Sequence, residues 1–192
     1  MFHRDSNPYA LQYSEWTVLW WKWLLSIPKK TNPALDTTGR YCHKSQTNQN
    51  AWFLAGTRGG PAERRCKIPY GKAILFPVIT SEFSFSQDPN LNTEEQLIRA
   101  VEQDIDTVNR LMVVVDGITL EGLDVFRDNF RVRSQPFDFK IEGVNTRIVS
   151  DGYWIFLKPP NIGPHTIYFV GRNVDFFNEV RYKISVTSVE QI

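Results

Sequence analysis

The sequence predicts one mixed α+β domain over residues 1–192, an antiparallel β-sandwich of Ig-like or jelly-roll-like type packed with two helices. Three observations predict it. Tyr13 to Pro28 reads YSEWTVLWWKWLLSIP and places Trp16, Trp20, Trp21 and Trp23 within eight residues. Residues 93–112 carry one apolar stripe at helical spacing. Across residues 113–188, short apolar runs alternate with turn residues roughly every ten positions, the pattern of a sandwich.

The Trp-rich stretch reads as a helix. Ser14 is a candidate N-cap, and Glu15 places a carboxylate in the first turn, where the helix dipole favours it. Pro28 and the Lys29-Lys30 pair mark the other end. Trp16, Trp20, Leu24 and Ile27 form one stripe; Val18, Trp21 and Leu25 a second; Leu19 and Trp23 a third. A helix apolar nearly all round is buried, and this one is shorter than the roughly 20 residues a membrane span needs. Core packing is the favoured reading. The functional alternative has some of these indoles lining a groove and stacking on a flat ligand.

Residues 29–50 are loop-like, rich in amides and turn residues. Trp52 to Thr57 reads as a short buried strand. Cys66 to Pro69 and Lys72 to Ile79 read as a strand pair broken at Tyr70-Gly71, with Pro77 confined to a bulge or an edge. Residues 80–92 read as a loop. Thr93 and Gln96 make a capping box for the second helix, whose stripe is Leu97, Val101, Ile105, Val108 and Met112. Asp116-Gly117 between two apolar triplets is a strong hairpin signal. Phe137, Phe139 and Ile141 alternate with polar residues. Tyr153 to Lys158 reads as a buried strand with Thr166 to Val170 as its partner, and Val180 to Thr187 as a half-exposed last strand.

Hydrophobic residues make up 42% of the chain and aromatics 14%, which supports a substantial core. A formal net charge of +1 argues against a dedicated nucleic-acid protein, and no apolar run of about 18 residues predicts a spanning helix. The start MFHRDSNPYA has no apolar signal region, so the expectation is that this chain carries no signal peptide; a mature exported chain whose leader has been removed would look the same.

Cys42 and Cys66 admit two readings. As metal or thiol chemistry they would act with His43, but zinc usually takes four ligands with a closely spaced Cys pair, which is missing. A disulfide tying the long loop to the strand at Cys66 is favoured, and implies an oxidising compartment. No metal site and no cofactor are expected: His3, His43 and His165 lack ligand spacing, and no phosphate-binding or dinucleotide motif occurs. The candidate acid/base residues are Glu15 at the mouth of the first helix, Glu82 beyond a buried strand, and Asp151 before Tyr153-Trp154. An acid against an aromatic wall can hold its proton to higher pH, and two acids flanking a sugar make a glycosidase. Against this stand capping for Glu15, a glycine turn for Asp151 and a solvated loop for Glu82. The candidate ligand-stacking or rim residues are Trp16, Trp20, Tyr153, Trp154 and His165.

Several segments together resemble a family. Ser14-Glu15-Trp16, Trp20 to Trp23, Ser26-Ile27-Pro28, Ala51 to Gly56, Cys66 to Pro77 with Glu82, and Ser150 to Phe169 match the pattern GEW, WWxW, SIP, VWFLAG, CxIPxGKxIxFP and SDGYWxFLKP. The chain resembles in this a family of secreted proteins of bacteria and ammonia-oxidising archaea. It departs at Thr80-Ser81, where the pattern has Asn before the acid. The resemblance implies export and one disulfide and implies no activity. The leading expectation is therefore a secreted or cell-surface binding module for a glycan or another extracellular polymer. The alternatives are a hydrolase using Glu15, Glu82 or Asp151, and a structural subunit that self-associates.

Overall fold

A computed structural model describes residues 1–188 as three helices and nine strands. Helix α1 spans Tyr13–Ser26. Its N-cap is Gln12 rather than Ser14, in a capping box in which the Gln12 N–H donates to Glu15 Oε2 at 2.7 Å. The helix stops before Ile27, which is extended ahead of Pro28. Asn32 closes the C-terminal end by donating to the carbonyls of Leu24 and Ile27 at 2.9 and 3.2 Å. Leu24 O also accepts from the Ile27 N–H at 3.3 Å, and the last carbonyls of a helix otherwise lack a backbone donor in the next turn.

The strands β1 (Ala51–Phe53), β3 (Ala73–Ser84), β7 (Val144–Leu157) and β6 (Phe137–Ile141) form one sheet in the order β1-β3-β7-β6. The strands β2 (Gly60–Pro69), β9 (Phe177–Thr187), β8 (Gly163–Arg172), β4 (Arg110–Val115) and β5 (Ile118–Glu121) form the other, in the order β2-β9-β8-β4-β5. Both sheets are mixed: β1 runs parallel to β3, and β2 parallel to β9. This corrects the expectation of an antiparallel sandwich. Two further corrections follow from the topology. β2 and β3 are not a pair, because the chain crosses from one sheet to the other at Tyr70-Gly71; β7 and β8 likewise belong to different sheets.

The two sheets face each other across a core. Phe76 of β3 stacks on Phe169 of β8 at 5.0 Å between ring centroids, with Ile68, Ile155, Tyr182 and Ile184 around them. Alternate residues of β7 point the other way, and α1 covers that outer face: Trp16 and Trp20 pack on Trp154 and Phe156. Helix α2 (Glu94–Asp106) takes the expected Thr93–Gln96 capping box and lays Leu97 and Val101 on Val149. It ends earlier than its stripe suggests, because Met112 belongs to β4. Helix α3 (Leu123–Phe130), which the sequence reading does not anticipate, puts Phe126 against Tyr153. Asp116 and Gly117 adopt φ 49° and 84°, the left-handed pair of the expected hairpin turn. The strand register shifts between Pro77 and Ile79, the bulge that Pro77 requires. No helix among the described residues is long and apolar enough to cross a membrane.

Cys42 and Cys66 form a disulfide, with Cα atoms 5.9 Å apart and a sequence separation of 24. It fastens the long loop after α1 to β2. Thiol titration of the unfolded, unreduced protein should find no free thiol. The Cys42→Ser/Cys66→Ser variant should lose about 3 kcal/mol of stability to the released loop, read as a lower denaturant midpoint; an unchanged midpoint would show that the loop is held by its packing alone.

Candidate functional site

The polar surface with most chemistry lies where α1, β3 and the loop after β1 meet. A cavity of about 110 Å³ there is lined by Trp20, Trp21 and Leu24 of α1, Thr80 of β3, and Thr57 and Arg58. That volume holds on the order of three waters, or the terminal group of a larger ligand. Asn178 sets the loop: its Nδ2 donates to Val78 O at 2.9 Å, and its Oδ1 accepts from the Thr57 N–H at 2.8 Å. Gly56 lets Asn178 come this close, since a Cβ there would lie 2.7 Å from the Asn178 amide. Arg58 is thereby carried to the cavity mouth.

Glu82 sits two residues beyond Thr80 on the same face of β3, about 7 Å further along. Its cross-strand partner is Ser150 of β7, and Thr80 lies opposite Gly152. Gly152 is needed here because a Cβ would meet the Thr80 side chain at 2.7 Å. Burial pushes the Glu82 carboxyl up to about 7; Arg58 pulls it down, and Asp88 raises it again. Glu82 Oε2, Ser150 Oγ, Trp21 Nε1 and Trp154 Nε1 are all buried on this side of the sheet, without a hydrogen-bond partner among the described residues. An unpaired buried polar group costs about 1–3 kcal/mol.

The three candidate acids are not brought together. Glu15 is spent on the capping box at the other end of α1. Asp151 lies opposite Ser81, on the face of β7 that α2 covers, so it and Glu82 point to opposite sides of one sheet. Asp151 is in a strand, not a glycine turn, and Glu82 is in a strand, not a solvated loop. Asp151 is 1% exposed and accepts from Arg131 Nε and Nη2 at 3.0 and 2.8 Å and from the Gly152 N–H at 2.8 Å. Burial raises its pKa, and the Arg131 guanidinium opposes the rise. Burial also works against the Arg131 charge, but its hydrogen bonds to Asp151 and Asp106 more than offset it, so its pKa rises.

The aromatic candidates are core residues. Trp16, Tyr153 and Trp154 are buried, and the Trp16 N–H donates to Pro8 O at 2.9 Å. Trp20 is buried as well, with its N–H on Leu54 O at 2.9 Å, yet it walls the cavity. His165 is held at both ring nitrogens, Nδ1 by Asp116 Oδ2 at 2.7 Å and Nε2 by Asn161 O at 2.8 Å. These partners, the Asp116 hydrogen bond first, raise its pKa and leave neither nitrogen for a ligand.

From the sequence, Arg58 reads with Arg64, Arg65 and Lys67 as a solvated basic hairpin face rather than an anion site, and neither Thr80 nor Ser150 stands out as a site residue, nor Arg131 as the Asp151 partner. The pairing of Glu82 with Ser150 depends on a strand register displaced by the bulge. A larger open groove, about 680 Å³, runs beside Phe85, Phe139 and Arg147, but Arg147 is already held by Glu94 and Asp138 at 2.6 and 3.0 Å. Comparison with protein-family models, with curated proteins and with solved structures returns no match.

Proposed function

We propose that this protein is an extracellular binding module that holds the end of a hydroxyl-rich ligand, a glycan, at the cleft beside Glu82. The observation that carries the reading is that Glu82 Oε2 and Trp21 Nε1 are each buried without a hydrogen-bond partner among the described residues, Trp21 at the cavity wall and Glu82 two residues along β3 from the cavity residue Thr80. A sugar hydroxyl both donates and accepts, so it answers both needs. Arg58 and Thr80 line the adjoining cavity and supply further polar contacts. The disulfide supports an oxidising, extracellular setting. A hydrolytic role for Glu82 is less well supported, because neither Glu15 nor Asp151 shares its cleft.

Calorimetric titration with a panel of neutral oligosaccharides tests the reading. Binding by the wild type and a loss of about tenfold or more in Glu82→Gln are expected, the value of one hydrogen bond to a charged group. No binding to any member of the panel, or equal binding by both proteins, would overturn it.

Glu82 also sets a pH dependence that Glu82→Gln removes. Its pKa is 4.5 when unfolded and about 7 when folded. Between these values the folded protein keeps a proton that the unfolded chain has released. The stabilisation is therefore complete below pH 4.5 and is lost as pH rises through about 7. The full amount is about 3 kcal/mol. Carboxylates held low elsewhere, such as Asp36 and Asp116, act with the opposite sign. The difference between wild type and Glu82→Gln isolates the contribution of Glu82: wild-type stability should fall relative to the variant from acidic to mildly alkaline pH. A difference that stays flat with pH would show that Glu82 titrates normally.

A further inference from the structure

We propose that the open face of the five-stranded sheet is a docking surface for an anionic extracellular polysaccharide carrying carboxylate or sulfate groups. The proposal does not rest on the Glu82 cleft, which belongs to the other sheet.

The strands of this sheet alternate buried and exposed residues. Arg64, Cys66 and Ile68 of β2 and Tyr182 and Ile184 of β9 point to the core, so the residues between them point out. The outward positions carry six cations: Arg65 and Lys67 on β2, Arg181 and Lys183 on β9, Arg172 on β8 and Arg110 on β4. Three carboxylates, Glu63, Glu121 and Glu179, share the face. The surplus of cations contrasts with a net charge of +1 for the whole chain.

The arrangement is costly to the fold. Arg65 lies directly opposite Lys183, and Arg110 directly opposite Arg172. Like charges opposite each other across a sheet destabilise it. Lys183 is compensated by Glu63. Arg65, Lys67, Arg110 and Arg172 form no ion pair among the described residues. With Arg181, which also forms no ion pair among the described residues, five unpaired cations on one face complement a polyanion, which would relieve both repulsive pairs. Along β2 the cations are spaced by about 7 Å, and across to β9 by about 5 Å.

A depression of about 320 Å³ in the same face is lined by Glu63, Tyr168, Glu179 and Arg181. The Arg181 guanidinium lies 4.6 Å over the Tyr168 ring, whose hydroxyl donates to Glu179 at 2.8 Å. This guanidinium is fixed before any ligand arrives. The carboxylates interleaved with the cations decide between polyanions. Duplex DNA presents one charge per about 1.7 Å and would press phosphates onto Glu63 and Glu179. A charged polysaccharide spaces its anions with hydroxyls, which those carboxylates can accept.

Retention on immobilised heparin and alginate, with dextran and duplex DNA as comparators, tests this. The wild type should bind at least one of the two anionic polysaccharides and neither comparator as tightly, and the affinity should fall about tenfold or more from low to high salt. Arg65→Ser/Lys67→Ser and, separately, Arg110→Ser/Arg172→Ser should each weaken binding by about tenfold. Both pairs are exposed, so melting temperature should hold or rise. Lys29→Ser/Lys30→Ser removes the same charge elsewhere and should leave binding nearly unchanged. No retention on either polysaccharide, an equal loss in the Lys29/Lys30 control, or tighter binding to DNA or dextran would overturn the proposal.

Discussion

Replacing Arg131 with methionine should destabilise the protein by about 3–5 kcal/mol, the cost of stripping one partner from a buried ion pair. Asp151 stays behind at 1% exposure, and the Gly152 N–H is then its one remaining hydrogen-bond donor among the described residues. The side chain of Arg131 also ties α2 to this point, through Asp106 Oδ1 at 2.6 Å and Glu102 O at 3.3 Å. In a chain of this size each kcal/mol is worth roughly 2–4 °C in melting temperature. Arg131→Met/Asp151→Leu removes both charges and should recover much of the loss, because the buried carboxylate is gone. A loss below about 1 kcal/mol in the single variant would mean that water reaches Asp151 and that the pair acts as a surface bridge.

Trp20→Ala should cost about 3–5 kcal/mol from the emptied volume alone. The indole is 2% exposed and meets the rings of Trp21, Trp23 and Trp154 at centroid distances of 5.2, 5.8 and 5.2 Å. Its N–H also satisfies Leu54 O, so truncation strands a buried carbonyl. Trp20→Phe keeps the aromatic contacts and loses the hydrogen bond, so it should fall between wild type and alanine. Urea midpoints of the three proteins separate the two contributions. Equal stability of all three would place Trp20 outside the packed layer.

Local pattern made much of this fold legible. The apolar circumference of α1, the Thr93–Gln96 box and the Asp116-Gly117 turn each depend on residues a few positions apart, and each is found where expected. Long-range pairing was not legible. The parallel joins of β1 to β3 and of β2 to β9 leave no local trace, so an alternating antiparallel arrangement was the natural reading. Val108 to Met112 continues the α2 stripe by spacing, yet a β-rich context draws Leu111 and Met112 into β4. Asp151-Gly152 reads as a turn because Gly so often makes one. Here the glycine instead gives the Thr80 side chain room to lie across the neighbouring strand. The site shows the same division. Glu82 stood out as an acid after an apolar run, but its partners Ser150 and Arg58 arrive through register and loop placement. The cationic face is invisible in a near-neutral composition, because only the strand order lines up Arg65, Lys183, Arg110 and Arg172 on one plane.

The parallel join of β2 to β9 also orders events in time. Arg64 of β2 bonds to Tyr182 of β9 across 118 residues of chain. While a ribosome or a translocation channel still holds Phe177–Thr187, β2 has no strand beside it, and the five-stranded sheet lacks the member that joins β2 to β8. Contacts this distant in sequence are slow to form and leave apolar edges open meanwhile. The five-stranded sheet can therefore close only after residues Phe177–Thr187 are free to pair.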